Sequence, residues 1–255
     1  MRAVLCRSFD GPGSLALVEI DRPSPGPGEV LVDVHASAVS FMDTLMVSGK
    51  YQMRPTLPFV PGSDAAGTVS AFGAGVTGLQ VGDRVACGHW FGSYAEQMVA
   101  PASATVRLPD NVDFSTGAAV RYGFGTAYYG LVHCARLQAG ETVFVSGAAG
   151  GVGLAAVDLA HHLGAHVIAG VGQVEKAAIA LDRGAEHVVV YGSENLHDRI
   201  KSLTAGRGVD VCFDTVGGEV FAGMTRLMNW GGRMLPIGFT SGEVDFQWAS
   251  ATTHR

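Results

Sequence analysis

The sequence predicts an α/β protein of two domains: a mostly β domain over residues 1–120 and a doubly wound parallel sheet over residues 121–255. Three observations lead to this prediction. Short alternating strands separated by Gly and Pro fill the first part, a pattern typical of a small β barrel or sandwich. Strands alternate with helices in the second part, and these strands are continuously apolar, which predicts a parallel sheet covered on both faces. A glycine-rich turn joins the first of these strands to the first of these helices.

Short strands with turn residues between them organise the N-terminal part. Val30, Val32 and Val34 recur at every second position, which places all three on one face of a strand. Pro-Gly and Gly-Asp dipeptides mark the turns. The predicted strands are Ala3–Arg7, Leu15–Ile20, Glu29–Ser37, Gly67–Phe72, Arg84–Ala86, Tyr94–Val99 and Thr105–Leu108.

Strand–helix alternation organises the C-terminal part. The predicted strands are Thr142–Ser146, His166–Val171, His187–Tyr191, Val209–Asp214 and Gly232–Ile237, and the predicted helices are Gly151–Leu163, Val174–Arg183, Glu194–Leu203 and Glu219–Asn229. Right-handed crossovers between such strands produce a doubly wound fold. A complete dinucleotide-binding fold of this type has roughly six strands, so we expect an exposed sheet edge after the fifth.

The composition restricts the classes of partner. The 17 basic and 23 acidic residues give a net charge of −6, and no Lys/Arg-rich run is present, which argues against nucleic-acid binding. A hydrophobic fraction of 47% excludes global disorder. The 36 glycines suggest that backbone approaches backbone or ligand closely at several places.

Targeting signals are not apparent in the sequence. The N-terminus lacks the apolar region of a signal peptide, and the uncharged stretch Thr142–Val157 is too short and too rich in glycine to span a bilayer. We therefore expect a cytoplasmic protein without a membrane partner. The four cysteines, Cys6, Cys87, Cys134 and Cys212, have no CxxC spacing and are expected to be reduced thiols, partly buried.

The glycine-rich turn after Thr142–Ser146 carries the strongest functional signal. It approximates the dinucleotide fingerprint G-x-G-x-x-G, with Ala148 in the first position followed by Gly150 and Gly153. Gly150 would let the backbone approach a pyrophosphate, and Gly153 would let the helix pack closely on the strand. The helix N-terminus would offer N–H groups and a positive dipole to the phosphates. A simple tight turn is the alternative interpretation, and the strand before and the helix after favour cofactor binding.

The end of the second strand favours NADP(H) over NAD(H). An NAD site usually places Asp or Glu there, on the ribose 2′-hydroxyl, but His166–Val171 is followed by Gly172 and Gln173. Lys176 comes shortly after and could pair with a 2′-phosphate. The alternatives are that Lys176 is only a solvated helix residue and that Glu175 beside it opposes a phosphate.

Four motifs together resemble a known family. They are SGAAGGVGLAAVDLAHHLGAHVIA from Ser146, GSDAAG at Gly62–Gly67, VGDRV at Val81–Val85 and GTAYYGL at Gly125–Leu131. They are similar to the zinc-independent quinone oxidoreductases of the medium-chain dehydrogenase/reductase superfamily, over residues 1 to about 242. The resemblance implies a GroES-like catalytic domain, then a Rossmann domain, with the active site in the cleft between them. It also implies a C-terminal truncation, because the last strand and a return segment of the family are expected to be missing.

The stretches that match zinc ligands of the superfamily contain neither Cys nor His. Zinc-dependent members carry a cysteine ligand early and a Gly-His-Glu motif soon after; here these stretches read Ser40–Asp43 and Pro61–Asp64. His89 and Cys87 form the only local pair, and two ligands do not close a tetrahedral site. We therefore expect no metal.

The resemblance also implies roles for individual residues. Tyr51 would line the cleft and could donate a hydrogen bond or a proton to a carbonyl that receives hydride, although it could instead simply pack beneath a loop. Ser40 stands where the family commonly has Asn, which removes an amide donor from this catalytic position. The implied cofactor contacts, from pyrophosphate to adenosine to nicotinamide, are Ala149, Gly150, Gly151, Val152 and Gly153, then Gly172, Lys176 and Tyr191, then Thr126, Ile237, Gly238 and Phe239.

These expectations combine into one functional hypothesis with alternatives. The implied activity is NADPH-dependent transfer of reducing equivalents, without zinc, to a small-molecule quinone or conjugated carbonyl such as an enone. The alternatives are a 2-enal or enoyl reductase of the same superfamily, a non-catalytic NADPH-binding protein like the lens-crystallin branch, and an inactive truncated protein. The family resemblance implies a homodimer, whose formation is doubtful without the last strand.

Overall fold

The computed structural model describes residues Met1–Ser241. The chain divides into two compact units, one from Met1 to Tyr122 and the other beginning at Gly123. Their architectures confirm the predicted α/β class, with a mostly β first part and a parallel sheet in the second. No helix among the described residues is long and apolar enough to cross a membrane.

The first unit is built on antiparallel strands. Its strands are β1 (Arg2–Leu5), β2 (Ala16–Glu19), β3 (Glu29–Ser37), β4 (Asp64–Phe72), β5 (Arg84–Gly88), β6 (Gln97–Pro101) and β7 (Thr105–Arg107). The first two form a pair, and the others form a sheet in the order β6-β3-β4-β5-β7. Val30 and Val32 are fully buried and Val34 packs against the same core, which confirms the alternation read from the sequence.

Two helices of this region were not predicted from the sequence. The helix α1 (Phe41–Val47) begins after Ser40, whose N–H donates to the carboxylate of Asp43 at 2.8 Å. The helix α2 (Phe114–Tyr128) begins in the first unit and continues into the second, where a π-helical turn, Tyr129–Cys134, follows it. A Ser followed three residues later by an acidic residue is a known N-terminal signal, so α1 could have been recognised.

The second unit contains a parallel sheet with helices between its strands. The strands are β8 (Thr142–Ser146), β9 (His166–Val171), β10 (His187–Val190), β11 (Val209–Asp214) and β12 (Met228–Pro236), and the helices are α3 (Gly151–His162), α4 (Ala177–Leu181), α5 (Leu196–Leu203) and α6 (Gly218–Met224). Among the described residues the strand order is β10-β9-β8-β11-β12, and all pairs are parallel. This is the doubly wound order that the alternation predicted.

Side chains of β8 alternate between two buried layers. Val143 and Val145 face a core formed with α3, whereas Phe144 faces a second core with Ile200 and Met224. All five residues of β8 are buried, because helices cover both faces of the sheet. The carboxyl ends of β8, β9 and β11 therefore meet at one edge of a rigid, dry sheet, where ligands of such folds bind.

Several predicted boundaries in the second unit were wrong. The last predicted helix, Glu219–Asn229, ends at Met224, and β12 starts at Met228 rather than at Gly232. Pairing with β11 draws Met228 into the sheet opposite Val209, and a register shift follows before Arg233. The predicted helix Val174–Arg183 is a 3₁₀ turn, Val174–Lys176, followed by the short α4.

The strand β12 lies at the edge of the sheet within the described part of the chain. It pairs with β11, and its Trp230 is 87% exposed. The predicted absence of a sixth strand concerns positions after residue 241, outside the described residues. The four cysteines are unpaired, with Cys134 exposed and the other three buried.

Candidate active site

The glycine-rich turn between β8 and α3 has the geometry of a phosphate cradle. Gly150 is the N-cap of α3 in an extended conformation and has no side chain that could cap the helix. A Cβ on Gly153 would collide with the backbone oxygen of Gly147, so only glycine lets the helix begin this close to the strand. The fingerprint residues thus take the positions that their spacing predicts.

The first turn of α3 is open to a ligand. A Cβ on Gly151 would meet no atom within 4 Å, and no acidic residue lies in this turn. Gly150 and Gly151 are exposed, while Ala149 and Val152 are half-buried beside them. Because the first N–H groups of a helix lack intrahelical partners, this opening fits a pyrophosphate.

The end of β9 presents no carboxylate in the two positions that follow it. Gly172 and Gln173 are exposed, and a Cβ on Gly172 would meet no atom within 4 Å. Lys176 closes the exposed 3₁₀ turn after them, with Glu175 beside it. The arrangement suits an adenosine ribose that carries a 2′-phosphate, with Glu175 as the opposing charge.

The hydroxyl of Tyr191 is buried rather than directed outward. It lies against Gly170, with Phe144 beneath the same glycine, and the Gly147 backbone of the glycine-rich turn lies near it. Burial raises the pKa of this phenol above its usual value. Tyr191 follows β10 at the expected edge of the sheet, but in this arrangement its ring packs against the core instead of offering its hydroxyl to an adenosine.

Asp214, at the end of β11, ties together the strand ends that border the cradle. Its side chain is fully buried and accepts hydrogen bonds from the Ser146 hydroxyl, from the Val216 N–H at 3.1 Å and from the Gly217 N–H at 2.9 Å. Its backbone oxygen accepts from the N–H groups of Ile237 and Gly238, at 2.7 and 3.2 Å. One residue therefore fixes both the β11 loop and the turn after β12.

The turn after β12 and the second half of α2 hold the predicted nicotinamide contacts. Ile237 and Gly238 are half-buried, whereas Phe239 is 53% exposed. Thr126 is half-buried on α2, and the π-helical turn that continues α2 brings Gly130 against Phe213 and Ile237. The second unit thus places the helix of Thr126 and the Ile237 turn on the same part of the sheet.

Asp43 organises the predicted catalytic stretch of the first unit. Its Oδ2 accepts from the Ser40 N–H and hydroxyl, both at 2.8 Å, and from the Tyr94 hydroxyl at 3.0 Å. The Asp43 side chain is buried, and its Oδ1 has no partner among the described residues. Burial and the nearby Asp43 charge raise the pKa of Tyr94. The hydroxyl of Ser40 is therefore engaged with Asp43.

Tyr51 lies close to a second tyrosine that the sequence reasoning missed. Tyr51 and Tyr122 are both half-buried and pack against one apolar cluster that includes Met42 and Phe59. Burial raises the pKa of Tyr122, and electrostatic interactions with Tyr51, Asp43 and Asp64 raise it further. Tyr122 therefore neighbours Tyr51 and two buried carboxylates.

An ion pair next to Tyr122, between the buried Asp64 and the exposed Arg121, was also missed. Arg121 donates from Nε to Asp64 Oδ1 at 2.6 Å, and the Ser63 hydroxyl donates to Asp64 Oδ2. The paired residues are 57 positions apart, so no local pattern could have indicated the contact. Asp214 carried a better signal, because it is a polar residue at the carboxyl end of a predicted parallel strand.

Metal-ligand clusters are absent from Met1–Ser241: no three His, Cys, Asp or Glu side chains lie together as a metal site requires. The two stretches that match zinc-ligand positions offer Ser40 and Ser63, whose hydroxyls both donate to carboxylates. Neutral hydroxyls are poor zinc ligands compared with thiolate or imidazole. The prediction of a metal-free site remains a prediction.

Comparisons with known proteins match both halves of the chain. Residues 26–110 match the alcohol dehydrogenase GroES-like domain family, and residues 151–255 match the family described as zinc-binding dehydrogenase. A quinone oxidoreductase-like protein 2 homolog from Nematostella vectensis is 42% identical over 248 residues, which are 95% of this chain and 67% of that protein.

Solved structures agree closely with the fold. A mycobacterial protein complexed with NADPH superposes with a TM-score of 0.92 at 38% identity, covering 98% of this chain and 78% of that one. The quinone oxidoreductase of Escherichia coli, also complexed with NADPH, gives a TM-score of 0.90 at 33% identity, covering 98% and 76%.

Proposed function

This chain belongs to the quinone oxidoreductase family of the medium-chain dehydrogenase/reductase superfamily, and from that premise we propose that it is an NADPH-dependent, zinc-independent reductase of quinones or other conjugated carbonyls. The observation that carries the proposal is the open first turn of α3 at the glycine-rich cradle, with Lys176 after the neighbouring strand. Two similar solved structures are complexed with NADPH, which supports the choice of cofactor.

We assign the cofactor contacts to the second part of the chain, residues 121–255, and the acceptor contacts to residues 1–120. Ala149–Gly153 would hold the pyrophosphate, Gly172 and Lys176 the 2′-phosphate, and Thr126 with Ile237–Phe239 the nicotinamide. When bound, NADPH supplies a hydride, so that NADPH, one quinone and one proton yield NADP⁺ and one hydroquinone. Tyr191 would support the adenosine side by packing rather than through its hydroxyl.

Tyr51 and Ser40 take different roles in this proposal. Tyr51 donates a hydrogen bond or the proton to the acceptor oxygen, because its half-buried phenol packs against the apolar cluster of Met42 and Phe59 in the unit that we assign to the acceptor. Ser40 acts as a positioning residue, since its hydroxyl donates to Asp43. With serine hydroxyls at the zinc-ligand positions, the acceptor must be easily reduced, as quinones and enones are.

Steady-state oxidation of NADPH tests the proposal with three partners: 1,4-benzoquinone, an enone, and an alcohol with NADP⁺ in the reverse direction. We expect turnover with the quinone, and we expect it to persist when a metal chelator is added. We expect little turnover with the alcohol. Preference for the alcohol would contradict the proposal. Faster turnover of the enone would favour an enoyl reductase, and quenching of tryptophan fluorescence by NADPH without turnover would favour a non-catalytic binding protein.

A further inference from the structure

The guanidinium of Arg121 is held by an ion pair at Nε, whereas its side chain is accessible to solvent. Its Nε is paired with the buried carboxylate of Asp64, whose side chain is 2% exposed, whereas the side chain of Arg121 is 43% exposed. Asp64 is itself held through its other oxygen by the Ser63 hydroxyl. Within Met1–Ser241 the guanidinium makes no second hydrogen bond, so its terminal nitrogens remain available.

Gly88 provides the surface on which this guanidinium rests. A Cβ at Gly88 would overlap Nε, Cζ and Nη2 of Arg121, so the planar group lies directly on the glycine backbone. Gly88 ends β5 and pairs with Asp64 at the start of β4. Strand pairing therefore sets the glycine next to the carboxylate, and the two together hold the guanidinium in a single orientation before any ligand binds.

The neighbours of Arg121 place this cation near the proposed proton donor. Tyr122 follows Arg121 directly in α2, and both Tyr51 and Asp64 lie close enough to raise the pKa of Tyr122. Arg121 and Tyr51 therefore both neighbour Tyr122, Arg121 along α2 and Tyr51 within the apolar cluster that both tyrosines pack against. Both groups belong to the first compact unit, Met1–Tyr122, which also contains the residues that we assign to the acceptor.

We propose that the terminal nitrogens of Arg121 bind the acceptor's carbonyl oxygen and stabilise the negative charge that develops on it, an assignment that rests on the proposed reductase function. As the acceptor takes up hydride, the electron pair of its carbonyl π bond moves to oxygen, which then gains a proton. A preorganised charged donor at that oxygen lowers the barrier because it stabilises the oxyanion more than the neutral carbonyl. Arg121 thereby performs the polarising task that a metal performs in other reductases.

Binding of an oxyanion probe tests the assignment without turnover. The probe is 4-nitrophenolate, which resembles a hydroquinone monoanion, and 4-nitroanisole is its neutral counterpart. We expect the chain to bind the phenolate about tenfold more tightly than the anisole. The preference should disappear in Arg121→Met and persist in part in Arg121→Lys, while the exposed Arg22→Met serves as the matched control.

Two further variants keep the test decisive if Arg121→Met fails to fold with Asp64 unpaired. The double variant Arg121→Met with Asp64→Asn removes both charges. Gly88→Ala keeps the charge of Arg121 but displaces its guanidinium from its present position. Both should lose the phenolate preference and lower kcat/KM for 1,4-benzoquinone about 100-fold, with NADPH affinity unchanged. An unchanged preference in the double variant would overturn the assignment. An Arg121-dependent preference in a chain that does not oxidise NADPH would uphold the site and reject the reductase function.

Discussion

Arg233 and Glu141 form a two-point ion pair that ties β12 to the turn before β8. Nη1 and Nη2 of Arg233 donate to the two carboxylate oxygens at 2.8 and 2.7 Å, and both side chains are largely buried. Hydrogen bonds from Arg233 hold the pKa of Glu141 below its usual value, and Glu141 raises that of Arg233. The edge strand β12 is therefore held by this ion pair as well as by its backbone hydrogen bonds to β11.

Glu141→Gln should lower the free energy of unfolding by about 1–2 kcal/mol at neutral pH. Because the pKa of Glu141 is lowered by folding, its carboxylate contributes stability above the usual Glu pKa of about 4.3, and this contribution is lost as the pH falls through the lowered value. Thermal melting from pH 7 to pH 3 should show the two proteins converging in acid. The exposed Glu19→Gln is the control, and a constant difference across this range would contradict the ion pair.

Lys176→Met should weaken NADPH binding about tenfold and leave NADH binding unchanged, because only NADPH carries the 2′-phosphate that the ammonium would meet. Fluorescence titration with each nucleotide measures the effect. Lys201→Met, on the exposed face of α5, is the control. An equal loss of affinity for NADPH and NADH would show that Lys176 contacts a part of the cofactor other than the 2′-phosphate.

Gly151→Ala and Gly153→Ala should separate cofactor binding from folding. Gly151 has open space where a Cβ would stand, so the alanine should stabilise α3 by about 0.5–1 kcal/mol while narrowing the approach of the phosphates and weakening NADPH binding. At Gly153 the alanine would meet the Gly147 backbone, so the melting temperature itself should fall. Identical behaviour of the two variants in melting and titration would refute the cradle geometry.

Asp214→Asn should destabilise the protein by about 3 kcal/mol and weaken NADPH binding, because an amide nitrogen would replace one of the oxygens that accept from Ser146, Val216 and Gly217. Ser146→Ala removes a single donor and should cost about 1 kcal/mol. Denaturant unfolding and nucleotide titration check both values. An Asp214→Asn protein that unfolds like the parent would show that the carboxylate is not needed.

The sequence predicted regular strands best. Glu29–Ser37 and Thr142–Ser146 have the predicted bounds, because alternation or continuous burial of β-branched residues decides such segments locally. The helix α2 escaped prediction because Gly117, Gly123 and Gly125 lower its helix propensity. Tertiary packing overrides that cost, since Gly117 lies against Leu108 and Gly123 against Gly151.

The residues of the candidate site were likewise predictable where a local motif specifies them and unpredictable where tertiary contacts do. Gly150 and Gly153 were found because a strand–turn–helix motif has a fixed spacing. The pairing of Arg121 with Asp64 depends on β4, β5 and α2 coming together, and the burial of the Tyr191 hydroxyl depends on Gly170 in the neighbouring strand β9. Contacts of this kind follow from topology rather than from a motif.

The exposed turn from Gly172 to Lys176 has a consequence for how this family can diversify. The side chains of this turn point to solvent and support little of the core, whereas Asp214 holds the other half of the cradle from a fully buried position. Substitutions at the turn can therefore change the preference between NADP(H) and NAD(H) with little effect on the stability of the fold. Coenzyme preference is in this sense a property of the surface, and it can evolve independently of the buried residues that support the reaction.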